Sequence, residues 1–194
     1  MNLLKHFVAT VKVLSVLLAL ALPTAPLAQT GHESLTEDQL FQALQSASAP
    51  ESARIESLLI DRWSNAGSKR QNDLLSLAKA TAGAGNLEHA VWILDTIIAE
   101  SPEFAEAWNV RATIHFVRDD LDSSVADIAA TLALNSRHFA AMNGLALVLE
   151  ASGNPQGALD AYRAVQEMAP MRAGVNGAIN RLEAIVEGQR PDSL

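Results

Sequence analysis

The sequence predicts an all-α protein, a solenoid of antiparallel helix pairs. Three observations carry that expectation. First, Leu74, Leu77, Ala78, Gly85, Ala90, Leu94, Ile97 and Pro102 recur 34 residues on as Trp108, Arg111, Ala112, Asp119, Ser124, Ile128, Thr131 and Ser136. They recur after a further 34 as Met142, Leu145, Ala146, Gly153, Ala158, Tyr162, Val165 and Pro170. A fixed period of this length with two helices per unit marks a repeat array. Second, Ala78, Ala112 and Ala146 are small where two helices of a hairpin must come close, as are Ala90 and Ala158 on the second helix. Third, punctuation falls between the helices. Gly85-Asn86 and Gly153-Asn154 are turn residues, while Pro102 and Pro170 cannot continue a helix and fit the start of the next one.

The elements follow in chain order. Residues 1–28 read as a secretory signal peptide. Lys5, His6 and Lys12 are weakly basic, Val13 to Leu22 is a run of ten residues apolar apart from Ser15, and Ala25 and Ala28 place a cleavage point near Ala28. Ten helical residues rise only about 15 Å, half a bilayer's hydrocarbon thickness, which is too short for an anchor. Residues 29–35 are a polar linker. Residues 36–67 read as a divergent N-terminal helix pair. Thr36 and Gln39 stand as a capping box, and Leu40, Phe41 and Leu44 share a face. Ser48-Ala49-Pro50 breaks the pattern, and Ile55, Leu58, Leu59 and Trp63 share the next face. Gly67 ends that helix, and Ser68 with Gln71 predicts another capped start. The block 68–187 holds three units, 71–104, 105–138 and 139–172, and a closing helix at 173–187. Residues 188–194 form a flexible tail. The turn inside 36–67 is too short for a further unit, so this pair is expected to cap the outer end of the first one.

These repeated positions resemble the tetratricopeptide repeat (TPR) family over residues 71–170. Units one and three carry the pattern well. Unit two departs from it at Ser124, Thr131 and Ser136, which stand for an alanine, an apolar residue and a proline. The resemblance implies a right-handed superhelix with a concave, protein-binding inner surface. It places on that surface Asn72, Leu75 and Lys79 of unit one, and Glu106, Asn109, Thr113 and Phe116 of unit two. Unit three contributes Ala140, Asn143, Leu147 and Glu150, and the closing helix Gly174, Gly177 and Arg181. Glu103, Phe104, Arg137, His138, Met171 and Arg172 lie along the rim. Asn109 and Asn143 are repeat-equivalent, and an amide offers both donor and acceptor to a peptide backbone. Leu75 stands where chaperone-binding members carry a clamp lysine and Lys79 where they carry an asparagine, so recognition of chaperone tails is not implied.

Composition narrows the chemistry. Hydrophobic residues make up 49% of the chain, enough for a sizeable core, while aromatics at 5% are too few for a base-stacking platform. The net charge of −8 becomes −10 once the two lysines of residues 1–28 are removed, and such a body repels nucleic acid and anionic lipid. The absence of cysteine excludes disulfides and thiolate chemistry, and with no glycosylation sequon it fits a bacterial periplasm. His89, His115 and His138 lack metal-ligand spacing, and His115 is expected to serve packing. Ser123 and Ser124 lack a nucleophile elbow. The Gly83 to Asn86 cluster lacks a preceding strand and a phosphate-binding lysine and reads as a turn. Asp119, Asp120 and Asp122 lack the closing glutamate of a calcium loop, and read as turn and helix-start residues. No catalytic residue, metal site or cofactor is expected. The chain is expected to be a non-enzymatic interaction module of the bacterial periplasm, with the membrane met only through the signal peptide. It would take an extended or helical segment of a partner protein in its groove. The alternatives are a permanent structural subunit of an envelope complex, or a solenoid that binds a small molecule or catalyses.

Overall fold

The computed structural model describes residues 32–188. The expected signal peptide and cleavage point, the first part of the linker and the tail beyond residue 188 lie outside the described residues. Among those residues the regular structure is wholly helical, in nine helices. These are α1 (Glu37–Leu44), α2 (Ala49–Trp63), α3 (Lys69–Gly83), α4 (Leu87–Glu100), α5 (Ala105–Val117), α6 (Leu121–Leu134), α7 (Phe139–Ala151), α8 (Pro155–Met168) and α9 (Val175–Gly188).

Local chemistry sets the helix ends. At α1 the capping box forms: the Gln39 amide donates to Thr36 Oγ1 at 3.3 Å and the Thr36 amide to Gln39 Oε1 at 2.8 Å. Ala49 and Pro50 belong to the first turn of α2, where a proline costs no intrahelical bond, so the break lies at residues 45–48. The side-chain cap expected at Ser68 does not form. Gln71 donates instead to Glu100 Oε2 at 3.2 Å, tying the start of α3 to the end of α4. The second helix of each unit starts on a capping side chain: Asn86, Asp120 and Asn154 accept the amides of His89, Ser123 and Gly157 at 3.3, 3.2 and 2.9 Å. The residue before each cap turns the chain through positive φ. Gly85 and Gly153 do so at 85° and 74°, while unit two uses Asp119 at 60°.

The pairs α3–α4, α5–α6 and α7–α8 pack as hairpins and stack in order, with α9 against α8. Ala78, Ala90, Ala112, Ala146 and Ala158 are all buried at the crossings. Unit two keeps the same packing with polar substitutes whose hydroxyls are satisfied. Ser124 donates to the Ala112 carbonyl and Thr131 to the Asp127 carbonyl, both at 2.9 Å. Arg111 clamps unit two to unit one, giving a bidentate pair to buried Asp127 of α6 at 2.7 and 2.8 Å and a third bond to Asp95 of α4 at 2.6 Å. First helices of successive units touch one another, α3 with α5 and α5 with α7. They therefore form the inner side of the stack.

The N-terminal pair is not where the sequence placed it. Leu40, Phe41, Leu44, Ile55 and Leu59 join the apolar core of unit three and the closing helix, not that of unit one. In the core of unit one the segment is represented by Ala66, from the connection to α3. Two short helices cannot bury their apolar faces on each other alone, so they dock where uncovered apolar surface exists, at Phe139 and its neighbours.

Leu94 is fully buried in the core of unit one, so Leu94→Ala should cost about 2–5 kcal/mol. Ala146→Leu, which overfills a crossing, should cost about 1–3 kcal/mol. Denaturant midpoints that barely move in either variant would mean that the repeat register is wrong.

Candidate functional site

One equivalent position per unit stays open along the first helices. Lys79, Thr113, Leu147 and Arg181 are each separated by 34 residues, and all four are exposed. Thr113 donates to the Asn109 carbonyl of its own helix at 3.0 Å. Leu147 shows 39% of its surface although it is a large apolar residue. Arg181 pairs with Glu150 at 2.7 Å. That bond holds the Glu150 carboxyl below its ordinary value, while burial and the bond to Glu150 push the Tyr162 hydroxyl up to about 12. Asn143 is half-buried and makes no side-chain hydrogen bond among the described residues. Phe116 is half-buried in the apolar cluster between units two and three.

Beside this open stripe runs a closed network. Lys79 Nζ donates to Ser64 Oγ at 3.1 Å and to Glu106 Oε1 at 2.8 Å. Glu106 Oε2 accepts from Asn109 Nδ2 at 3.0 Å and from His138 Nε2 at 3.1 Å. His138 Nδ1 accepts the Ala141 amide at 3.1 Å, which caps α7 and leaves Nε2 as the donor to Glu106. Three successive units are thus joined by one polar chain. Asn72 is also engaged, accepting the Ala66 amide at 2.8 Å and donating to Asn65 Oδ1 at 2.9 Å.

Four placements need correction here. His138 and Phe104, placed on the rim, are 0% and 6% exposed, and Glu106 and Leu75, placed on the open surface, are 3% and 2% exposed. Leu75 and Phe104 belong to the core of unit one, Glu106 is enclosed by Lys79, Asn109 and His138, and the His138 ring is covered by an occupant. Trp63 of α2 stacks on the His138 ring with centroids 4.5 Å apart and lies 5.1 Å from the Phe139 ring. The asparagine pair is also uneven, since Asn109 is bonded to Glu106 and Asn143 is not. The two repeat-equivalent amides do not present one ladder.

The rim residues hold α1 and α2. Arg137 reaches Asp38 at 2.7 Å and Glu37 at 3.3 Å, and its guanidinium lies 4.5 Å over the Phe41 ring. Arg172 pairs with Glu56 and lies 4.8 Å over the Phe139 ring. Gln45 Nε2 donates to the Glu167 carbonyl at 3.0 Å. Sequence reasoning missed Glu37, Phe41, Glu56 and Trp63 as partners of this face. The available signal was an amphipathic pair that fits no repeat and must bury itself somewhere. A cavity of about 490 Å³ remains beside the end of α2, lined by Arg62, Trp63, Asn65, Phe104, Leu134 and Asn135 among others.

Burial pushes the Glu106 carboxyl up, but the His138 bond and the Lys79 charge outweigh it and hold the group below its ordinary 4.5. A depressed folded value means stabilisation that is complete above the unfolded value and lost as pH falls through the folded one. The wild-type denaturant midpoint should therefore drop more steeply below about pH 4.5 than that of Glu106→Gln. Parallel pH profiles would show that Glu106 is not the group responsible.

The described residues contain no group of three or more side chains that could hold a metal ion, and no helix long and apolar enough to cross a membrane.

Comparison with known proteins adds to this geometry. The tetratricopeptide repeat family profile matches residues 116–172. A TPR repeat-containing protein of Rhizobium etli is 33% identical over 154 residues, covering 79% of this chain and 76% of that protein. Among solved structures, MamA aligns with a TM-score of 0.57 at 18% identity, over 78% of this chain and 86% of MamA. The first TPR of Spaghetti, bound to an HSP90 peptide, aligns at 0.56 with 16% identity, over 58% of this chain and 90% of that one. The Yersinia enterocolitica type III secretion chaperone SycD, in complex with a peptide of the translocator YopD, aligns at 0.56 with 13% identity, over 61% and 96%. At these identities the structural likeness speaks for the fold alone.

Proposed function

The chain belongs to the tetratricopeptide repeat family, and on that premise we propose that it is a non-enzymatic interaction module that binds a segment of a partner protein along its first helices. The observation that carries this reading is the open stripe of Lys79, Thr113, Leu147 and Arg181. Four equivalent positions one period apart stay exposed: an apolar Leu147, a Thr113 whose hydroxyl donates to its own helix, and two cations, Lys79 and Arg181, each held by a glutamate that a partner's carboxylate could replace. Such a row suits an extended or helical segment, which offers its own side chains at regular intervals. The peptide-bound Spaghetti and SycD structures support the reading by analogy of fold.

The module is proposed to act in a bacterial periplasm. The support is the short apolar run ending before Pro23, the small residues leading to Ala28, and a cysteine-free acidic remainder. Intact mass of the protein recovered from the cell envelope should lack residues 1–28. A full-length mass held in the inner membrane would contradict export.

A photo-crosslinking amino acid at Leu147 in living cells tests the binding role. The expected result is a discrete adduct to another protein, absent when the same group is placed at Trp92, which is exposed on the second helix of unit one. No adduct at Leu147 or at Thr113 would overturn the proposal.

A further inference from the structure

The rim beside the open stripe is a bed of charged and aromatic side chains, occupied by the chain's own α1–α2 pair. When α1 and α2 are set aside, the bed is two arginines, Arg137 and Arg172, with the rings of His138 and Phe139, Arg172 lying over Phe139. All four are satisfied from the N-terminal pair: Arg137 by Glu37 and Asp38, Arg172 by Glu56, the rings by Trp63 and Phe41. The bed is cationic and aromatic, and what it holds is matched to it in kind, three carboxylates and two aromatic rings. The pair stands outside the repeat register, and its hold on units two and three is made by contacts 75 to 123 residues apart in sequence. It is joined to α3 by a short connection with Gly67 at a φ of 73° and open space around it. That connection is latched by three bonds, from Lys79 to Ser64 and between Asn72 and residues 65 and 66. Lys79 belongs to both the latch and the open stripe, so a segment that takes up Lys79 loosens the latch.

We propose that α1–α2 is an exchangeable occupant, and that the bed takes in its place a partner's amphipathic helix carrying an aromatic residue flanked by carboxylates. The proposal rests on the reading of the chain as an interaction module and names the chemistry of what it binds. Binding runs from the open stripe onto the rim as the resident pair swings out about residues 64–68. While the pair is docked, apparent affinity is reduced by the fraction of molecules in which the bed is free.

The test uses the full chain and a fluorescent synthetic peptide with the sequence of residues 49–66 as the probe. Wild type should bind it weakly. A chain carrying Trp63→Ala and Glu56→Gln, which loosens its own α2 and leaves the bed intact, should bind on the order of tenfold tighter or more. Adding Arg172→Ala to that chain should return binding to the weak level. Equal binding by all three chains, or none by any, overturns the proposal. Should the loosened chain fail to fold, hydrogen exchange of the wild type decides. Residues 37–63 should exchange as one unit ahead of the helices from 69 to 168, and exchange at the same rate as those helices would sink the idea. Light scattering is run alongside. A dimer in which two chains trade their N-terminal pairs would make a second copy the occupant, and would also overturn it. An adduct at Leu147 with no exchange at the rim leaves the interaction module standing and removes this inference alone.

Discussion

Arg111→Ala is expected to destabilise the protein by about 3–5 kcal/mol, because it leaves the Asp127 carboxylate buried without its counter-charge. The side chain of Asp127 is 5% exposed and that of Arg111 17%, so water cannot substitute for the lost guanidinium without opening the crossing of α5 and α6. His115 Nε2 lies 3.7 Å from Asp127, too far for a strong compensating bond. The pair is not expected to be irreplaceable. Well-packed apolar residues in both places often match a buried ion pair, so Arg111→Met combined with Asp127→Leu should recover most of the loss. Urea denaturation of the three proteins checks both halves. A cost below about 1 kcal/mol for Arg111→Ala would mean that the carboxylate is hydrated or neutral in the folded protein.

Trp63→Ala should remove about 2–4 kcal/mol, somewhat less than a fully buried tryptophan contributes because this one is half-buried. The indole stacks on His138, packs against Phe139 and donates to Glu37 Oε2 at 3.3 Å, so its loss uncouples α1 and α2 together. The effect should be local. Hydrogen exchange in residues 37–63 should rise sharply, while the helices of unit one keep their protection, since their apolar core is separate. Equal loss of protection in both regions would mean that the N-terminal pair and the repeats fold as one unit.

The repeat architecture was legible because period and residue type agree at Ala78, Ala112 and Ala146, at the Gly-Asn turns, and at the caps Asn86, Asp120 and Asn154. Local chemistry decides those positions. Unit two stayed legible despite Ser124 and Thr131, since a hydroxyl bonded to its own or a neighbouring helix fits where an alanine or a valine would. The position of α1 and α2 was not legible. Gln45 meets Glu167, and Glu56 meets Arg172, through contacts more than a hundred residues apart that leave no local signature. The burial of His138 could have been found. One period earlier the same position is Phe104, an apolar residue that points inward and is 6% exposed. Glu106 was misplaced for a different reason. The repeat mapping assigns a direction on the helix, and it cannot say that Lys79 and His138 close over the carboxylate.

The seat of α1 and α2 on the face of unit three is the claim on which the site rests, and a distance measurement tests it most directly. The chain has no cysteine, so spin labels can be placed by Ser46→Cys with Glu167→Cys, and in a second protein by Ser46→Cys with Ser76→Cys. The side chain of Gln45 reaches the Glu167 carbonyl at 3.0 Å, so the first pair should give a short, narrow distance distribution and the second a clearly longer one. A short distance to residue 76 and a long one to residue 167 would place the N-terminal pair on the outer end of unit one and contradict it.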